Sequence, residues 1–178
     1  LCKGKVPLYL RLFYLLTGNW IGKIKPLVEQ FDSSLVNPTS LDIRIGSTAE
    51  LRVEDGYLPV KLSSYDAENP YFIEPGDRLL VASFETINLP SFVCAQFRLK
   101  SSRGREWYEH MEAGFCDPGW HGSKLTMEIV NMDLKPLPIY EGLRMGQLIF
   151  SLTLSIPQKT YALTGRYNGD RTVQQSKG

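Results

Sequence analysis

The 178 residues include only three cysteines and two histidines, and no apolar run is long enough to cross a bilayer. Cys2, Cys94 and Cys116 are odd in number and far apart, so no disulfide framework is implied and a reducing, cytoplasmic setting is expected. His110 and His121 have no recognisable triad context. There is no G-x-S-x-G elbow and no Walker-type phosphate loop. An excess of one charge is missing as well: 20 basic residues face 19 acidic ones, for a net charge of +1. That balance argues against a nucleic-acid surface built on bulk electrostatics, although a few local cations can still hold a small anion. The length suits one domain with a full core.

Residues 6–16 are nearly all apolar, with Pro7 near the start and Arg11 in the middle. Lys3 and Lys5 mimic the basic start of a signal peptide, but no small-residue cleavage site follows before Trp20. A buried N-terminal helix with Pro7 in its first turn is the reading, with no membrane partner.

Beyond Gly18 the chain reads as short strands at 40–45, 49–53, 57–62, 71–74, 78–84, 93–99, 125–131, 137–140 and 147–154. Turn chemistry separates them, at Glu54-Asp55-Gly56, Pro75-Gly76-Asp77 and Asp117-Pro118-Gly119 among others. Closely spaced strands without helical periods predict a sandwich or barrel rather than a parallel α/β sheet. The tail, 164–178, is polar and lacks apolar periodicity; alone it reads as disordered, and its functional alternative is a segment that orders over a bound ligand.

Two features carry chemistry. Lys100-Ser101-Ser102-Arg103-Gly104-Arg105 reads as a turn at a strand end, where hydroxyl donors and fixed cations flank a glycine that lets backbone approach closely, as a triphosphate requires. In 125–131, Leu125, Met127 and Ile129 share one face, so Thr126, Glu128 and Val130 share the other. Pattern alone makes Glu128 a solvent-facing strand carboxylate and only permits a base there. His110-Met111-Glu112 has the H-x-E of zinc nucleoside deaminases, but their P-C-x-x-C is missing, because Cys116 is followed by Asp117-Pro118. Zinc is therefore rejected.

Taken together, the motifs resemble the metal-free dCTP deaminases of the dUTPase superfamily. Thr39-Ser40-Leu41-Asp42-Ile43-Arg44-Ile45-Gly46 resembles their A-S-[VL]-D-L-R-L-G, and Lys100 to Arg105 their K-S-S-x-G-R. Ala113-Gly114-Phe115-Cys116-Asp117-Pro118-Gly119-Trp120 resembles T-A-G-F-I-D-P-G-F after its first residue, and Thr126-Met127-Glu128 resembles T-L-E. Gly142 to Leu148 is similar to P-G-M-K-I-G-Q-L, and Arg166-Tyr167-Asn168-Gly169 to the terminal K-Y-Q-G.

The resemblance implies a mainly β fold, a distorted jelly-roll-like β-barrel with a short N-terminal helix. The expected layout is a helical segment at 1–20, the β-domain at 21–163 and the closing tail at 164–178. It further implies a homotrimer with active sites between subunits, acting on dCTP or dUTP. Glu128 matches the general base, and Ser101 and Arg105 match the residues that hold it and its water. Lys100, Ser102, Gln147, Tyr161 and Tyr167 match contacts to the phosphates, and Arg103, Gly104, Arg166 and Asp170 are further expected substrate contacts. Asp117 matches the contact to the deoxyribose 3′-hydroxyl, and the backbone around Thr126, Met127 and Glu128 would read the pyrimidine edge. Mg2+ would ride on the triphosphate.

Some relatives of this kind go on to release dUMP and pyrophosphate. Ala113-Gly114-Phe115 follows their pattern, whereas a His at position 114 occurs in some one-step enzymes. The sequence departs from the family pattern at Glu112, where Thr is usual, and at Asp170, where Gln is usual. One residue is lost between Arg105 and Ala113 and one is gained between Gly122 and Glu128, which predicts a compensating bulge near Ser123-Lys124. The alternatives are a dUTPase without deaminase activity, a deaminase of a modified or monophosphate pyrimidine, and a non-catalytic nucleotide-sensing trimer.

Overall fold

The computed structural model describes residues 26–178. The predicted N-terminal helix and Cys2 lie outside the described residues. Eleven strands form: β1 (Val28–Glu29), β2 (Leu41–Val53), β3 (Gly56–Lys61), β4 (Tyr71–Ile73), β5 (Arg78–Asn88) and β6 (Val93–Leu99), then β7 (Tyr108–His110), β8 (Phe115–Cys116), β9 (His121–Asn131), β10 (Leu137–Ile139) and β11 (Arg144–Leu152). Two short helices, α1 (Ser101–Arg105) and α2 (Tyr161–Thr164), interrupt them. A nine-stranded antiparallel sheet runs β7-β9-β5-β2-β11-β6-β8, with β1 added to β5 and β3 to β2; β4 and β10 form a separate pair.

The thirteen residues of β2 link the two halves of this sheet. Its start pairs with β11, Leu41 facing Leu148, and its end pairs with β5 and β3, Leu51 facing Leu79 and Leu58. The sheet curls around one core, in which Ile43, Ile45, Val81, Ile87, Met127, Ile129, Met145 and Leu148 are buried. At the bend, where β2 and β5 both slip register, Arg44 Nε lies 2.6 Å from the fully buried carboxylate of Glu85. The Arg44 guanidinium also stacks 4.3 Å from the Phe84 ring centroid.

The fold is mainly β, as expected, with strand limits that differ from the sequence reading. The segments 40–45 and 49–53 fuse into β2, which runs on through Gly46-Ser47-Thr48 although its pairing with β5 slips between Ile45 and Ala49. Short β1, β7 and β8 carry too few residues to show a period. The predicted turn at Lys100 to Arg105 is instead one turn of helix, closed by Gly104 N–H to the Lys100 carbonyl at 3.0 Å. Glu74-Pro75-Gly76-Asp77 and Asp117-Pro118-Gly119-Trp120 form the turns their sequences demand: proline second, and a third-position glycine at φ 84° and 89°.

The predicted irregularity near Ser123-Lys124 is present. Ile87 faces Ser123 while Asn88 faces His121, so Gly122, at φ 67°, is the extra residue. A second slip lies between Ala82/Thr126 and Thr86/Lys124. Among the described residues no helix is long and apolar enough to cross a membrane.

The tail is not a free segment. Tyr161 N–H donates to the Pro118 carbonyl at 2.9 Å, Trp120 Nε1–H to the Tyr167 carbonyl at 3.1 Å, and Lys124 N–H to the Asp170 carbonyl at 2.8 Å. Gln174 N–H donates to Thr126 Oγ1 at 3.1 Å, and Gln175 Nε2 to Glu50 at 2.7 Å. The tail is fixed by polar contacts to β9 and β2 rather than by an apolar face, so hydrophobic periodicity could not reveal it.

Candidate active site

The first group of site residues gathers where β6 ends. Lys100 N–H is tied to the Met145 carbonyl at 3.1 Å, which sets α1 beside β11. A cavity of about 370 Å³ opens here, lined by Lys100, Ser102, Arg103, Tyr140 and Arg144 together with Gly142 and Leu143. Lys100 Nζ lies 2.7 Å from both oxygens of Asp42, whose side chain is only 3% exposed. Asn37 Nδ2 donates to the same carboxylate at 2.8 Å, and Arg144 stands 3.7 Å away. Gln147, paired across from Asp42, accepts a hydrogen bond from Ser40 Oγ at 2.8 Å. Ser101, Gly104 and Arg105 are exposed, and Arg105 forms no ion pair among the described residues. The cavity presents three cations and two hydroxyls, a set suited to anionic oxygens.

The second group lies along β9. Leu125, Met127 and Ile129 point into the core, as the alternation predicts, so Met127 can offer a ligand only its backbone. Glu128, on the other face, is half-buried in a cavity of about 210 Å³ with Arg52, Tyr57, Arg78, Leu80 and Met111. Burial pushes its carboxyl above the ordinary glutamate value, while its own backbone amide pulls the other way. Arg52 is engaged elsewhere, with its guanidinium 5.1 Å over Tyr57 and Nη1 donating to the Gly56 carbonyl at 3.0 Å. Glu128 is thus more than the solvent-facing carboxylate that pattern alone suggests.

Strand β7 ends at His110, opposite Ile129, and the tail meets the same edge of β9 at Lys124. Among the described residues, no strand pairs with that edge between these attachments, around Thr126. Asp117 sits at the turn whose Pro118 carbonyl holds Tyr161, so Asp117, Tyr161, Arg166, Tyr167 and Asp170 belong to this second group. Among the described residues no hydrogen bond or ion pair joins the two groups. Glu128 and the trio Lys100, Ser102 and Arg103 line separate cavities.

Two positions singled out in the sequence, Glu112 and Gly114, have a local structural setting. Glu112 adopts φ 56° and pairs with Arg98 at 3.1 Å on the exposed surface, next to Met111 of the Glu128 cavity. Gly114 packs so closely that a Cβ would stand 2.7 Å from the Phe97 carbonyl oxygen, leaving no space for a side chain. His110 is buried edge-on against Phe97 at 5.3 Å, with Nδ1 accepting from Glu112 N–H, so it serves the fold.

Sequence reasoning assigned no role to Asp42, Arg144, Arg52 or Arg78. Asp42 and Arg144 stood inside quoted motifs, yet their partners lie far away in sequence. Arg52 and Arg78 had no local signal at all.

The architecture is that of a curled β-sheet enzyme domain. It superposes on dCTP deaminase from Agrobacterium tumefaciens with a TM-score of 0.64 at 23% identity, covering 80% of this chain and 46% of that one. The chain thus spans about half the length of that protein. The dCTP deaminase-like family model matches residues 20–153. A "dCTP deaminase, dUMP-forming" from Methanopyrus kandleri is 32% identical, with 86% of each chain covered. A protein of the same name from Hydrogenobaculum is 34% identical, over 78% of this chain and 80% of its own. The chain belongs to the dCTP deaminase-like family.

Proposed function

We propose that the protein deaminates dCTP and carries the product on to dUMP and pyrophosphate. The observation that carries this reading is Glu128: a half-buried carboxylate of raised pKa beside an open backbone edge, in a chain of this family. Glu128 takes a proton from water as the water oxygen bonds to C4 of cytosine. That proton passes to N3 as the C4–N3 bond becomes single; Glu128 then moves the C4 hydroxyl proton to the amine, and the C4–N bond breaks to release ammonia as C4=O forms. The open edge around Thr126, Met127 and Glu128 reads the pyrimidine, and Asp117 accepts from the 3′-hydroxyl.

The separation of the two groups supports a homotrimer in which Ser101 and Arg105 of one copy meet Glu128 of another. Lys100, Ser102, Arg103, Gly104 and Gln147 would then face Tyr161, Arg166 and Tyr167 across the triphosphate. Mg2+ enters on the triphosphate as part of the substrate. Asp42, beside the phosphate cavity, is already held by Lys100 and Arg144 and is not free to ligate a metal. The second step, water attack releasing pyrophosphate, accords with the names of the relatives and with the closed space at Gly114. A cytoplasmic setting suits the unpaired thiols of Cys94 and Cys116.

The test is purified protein with Mg2+ and dCTP, assayed for ammonia and chromatographed for products. Ammonia with dUMP and pyrophosphate is expected. Ammonia with dUTP alone would overturn the second step, and no turnover would overturn the reading and favour a dUTPase or a nucleotide sensor.

A further inference from the structure

Residues 164–178 contain a single acid, Asp170, among the cations Arg166, Arg171 and Lys177. Its placement near the tail's phosphate-facing residues is electrostatically adverse, because a carboxylate there repels a triphosphate. The far end of the same tail answers it. Lys177 Nζ lies 2.6 Å from Asp170 Oδ2 and donates to the Arg166 carbonyl at 3.0 Å. Lys177 N–H donates to Tyr167 Oη at 3.0 Å, and its ammonium sits 4.8 Å over the Tyr167 ring. Four contacts thus fold the chain end back onto Arg166, Tyr167 and Asp170.

A lone surface ion pair contributes about 0–1 kcal/mol and would not merit a role. This one does two further things. It holds the Tyr167 ring and hydroxyl in place. It also leaves the ammonium one spare proton, since two of its three donors are taken by Asp170 and Arg166. An ammonium so held can direct that proton to a phosphate oxygen.

We propose that Lys177 is a positioning and specificity residue that cancels the charge of Asp170, holds Tyr167, and sets the tail's preference for a triphosphate. The inference rests on the reading of the tail as a phosphate-facing segment given above.

The test is a double-mutant cycle with Lys177→Met, Asp170→Asn and the pair combined, alongside Lys177→Arg. Steady-state kinetics on dCTP should be accompanied by equilibrium binding of dCTP and dCMP. Lys177→Met is expected to raise KM for dCTP about tenfold, the effect of one uncancelled charge, with kcat within about twofold. It should weaken dCTP binding more than dCMP binding. Adding Asp170→Asn should recover most of the loss, and Lys177→Arg should retain function. An unchanged KM in Lys177→Met, or a double variant as impaired as the single one, would overturn the proposal while dCTP turnover by the parent protein stands. A parent protein that neither binds nor turns over dCTP would instead overturn the reading beneath it, and this inference with it.

Discussion

Lys100 Nζ sits equidistant, at 2.7 Å, from the two carboxylate oxygens of Asp42, a residue 58 positions earlier in the chain. Asp42 is all but closed to solvent, and Asn37 and Arg144 complete its surroundings. A carboxylate held this way fixes the direction in which the lysine approaches the cavity. Its loss leaves two cations uncompensated. Asp42→Asn is expected to destabilise the fold by about 2–3 kcal/mol in urea titrations and to raise KM for dCTP more than it lowers kcat.

Glu128→Gln separates chemistry from binding. Deamination should fall by at least about 10²-fold, with dCTP binding largely kept. Stability gives a second readout with a definite sign. Because burial raises the Glu128 pKa, the folded state holds its proton more tightly than the unfolded state. Stability therefore falls as pH rises from the ordinary glutamate value through the raised one. Glu128→Gln should raise Tm above that interval and leave it unchanged below. The acid limb of the pH–rate profile should also be displaced upward from the ordinary glutamate value.

The Arg44–Glu85 pair belongs to the fold rather than the site. Its carboxylate is fully buried and also accepts from Arg44 N–H at 3.0 Å. Glu85→Ala should cost about 3–5 kcal/mol by stranding the guanidinium at the bend of β2. A loss under 1 kcal/mol by chemical denaturation would contradict that role.

Gly114 is a test of space. Even Gly114→Ala should destabilise by about 1–3 kcal/mol, because the added carbon meets the Phe97 backbone rather than a movable side-chain tip. Thermal melts of the variant and parent decide this, with equal Tm values as the contrary result.

The sequence showed these features unevenly, for physical reasons. The inward set Leu125, Met127 and Ile129 was plain, since a half-buried strand imposes a period of two. The turns at Pro75-Gly76 and Pro118-Gly119 were equally plain, because proline and glycine select their own dihedrals. The bulge at Gly122 was legible only as a length mismatch against a family pattern. Lys100 to Arg105 misled, because a single helical turn is too short for a period and its residues suit a turn as well. The tail misled more deeply: its order comes from hydrogen bonds such as Lys124 N–H to Asp170 and Gln174 N–H to Thr126, which no hydrophobic pattern encodes. The Asp42–Lys100 contact joins distant strands, and only the topology of β2, β11 and β6 brings the two residues together.

The most direct test of the account mixes two inactive proteins. Glu128→Gln and Arg105→Ala should each be nearly inert alone. If a complete site takes Glu128 from one copy and Arg105 from another, co-expressing the two variants creates some mixed assemblies with an intact site. Recovery of dCTP deamination is the expected result. Co-purified mixed assemblies that stay as inert as either parent would contradict a site shared between copies.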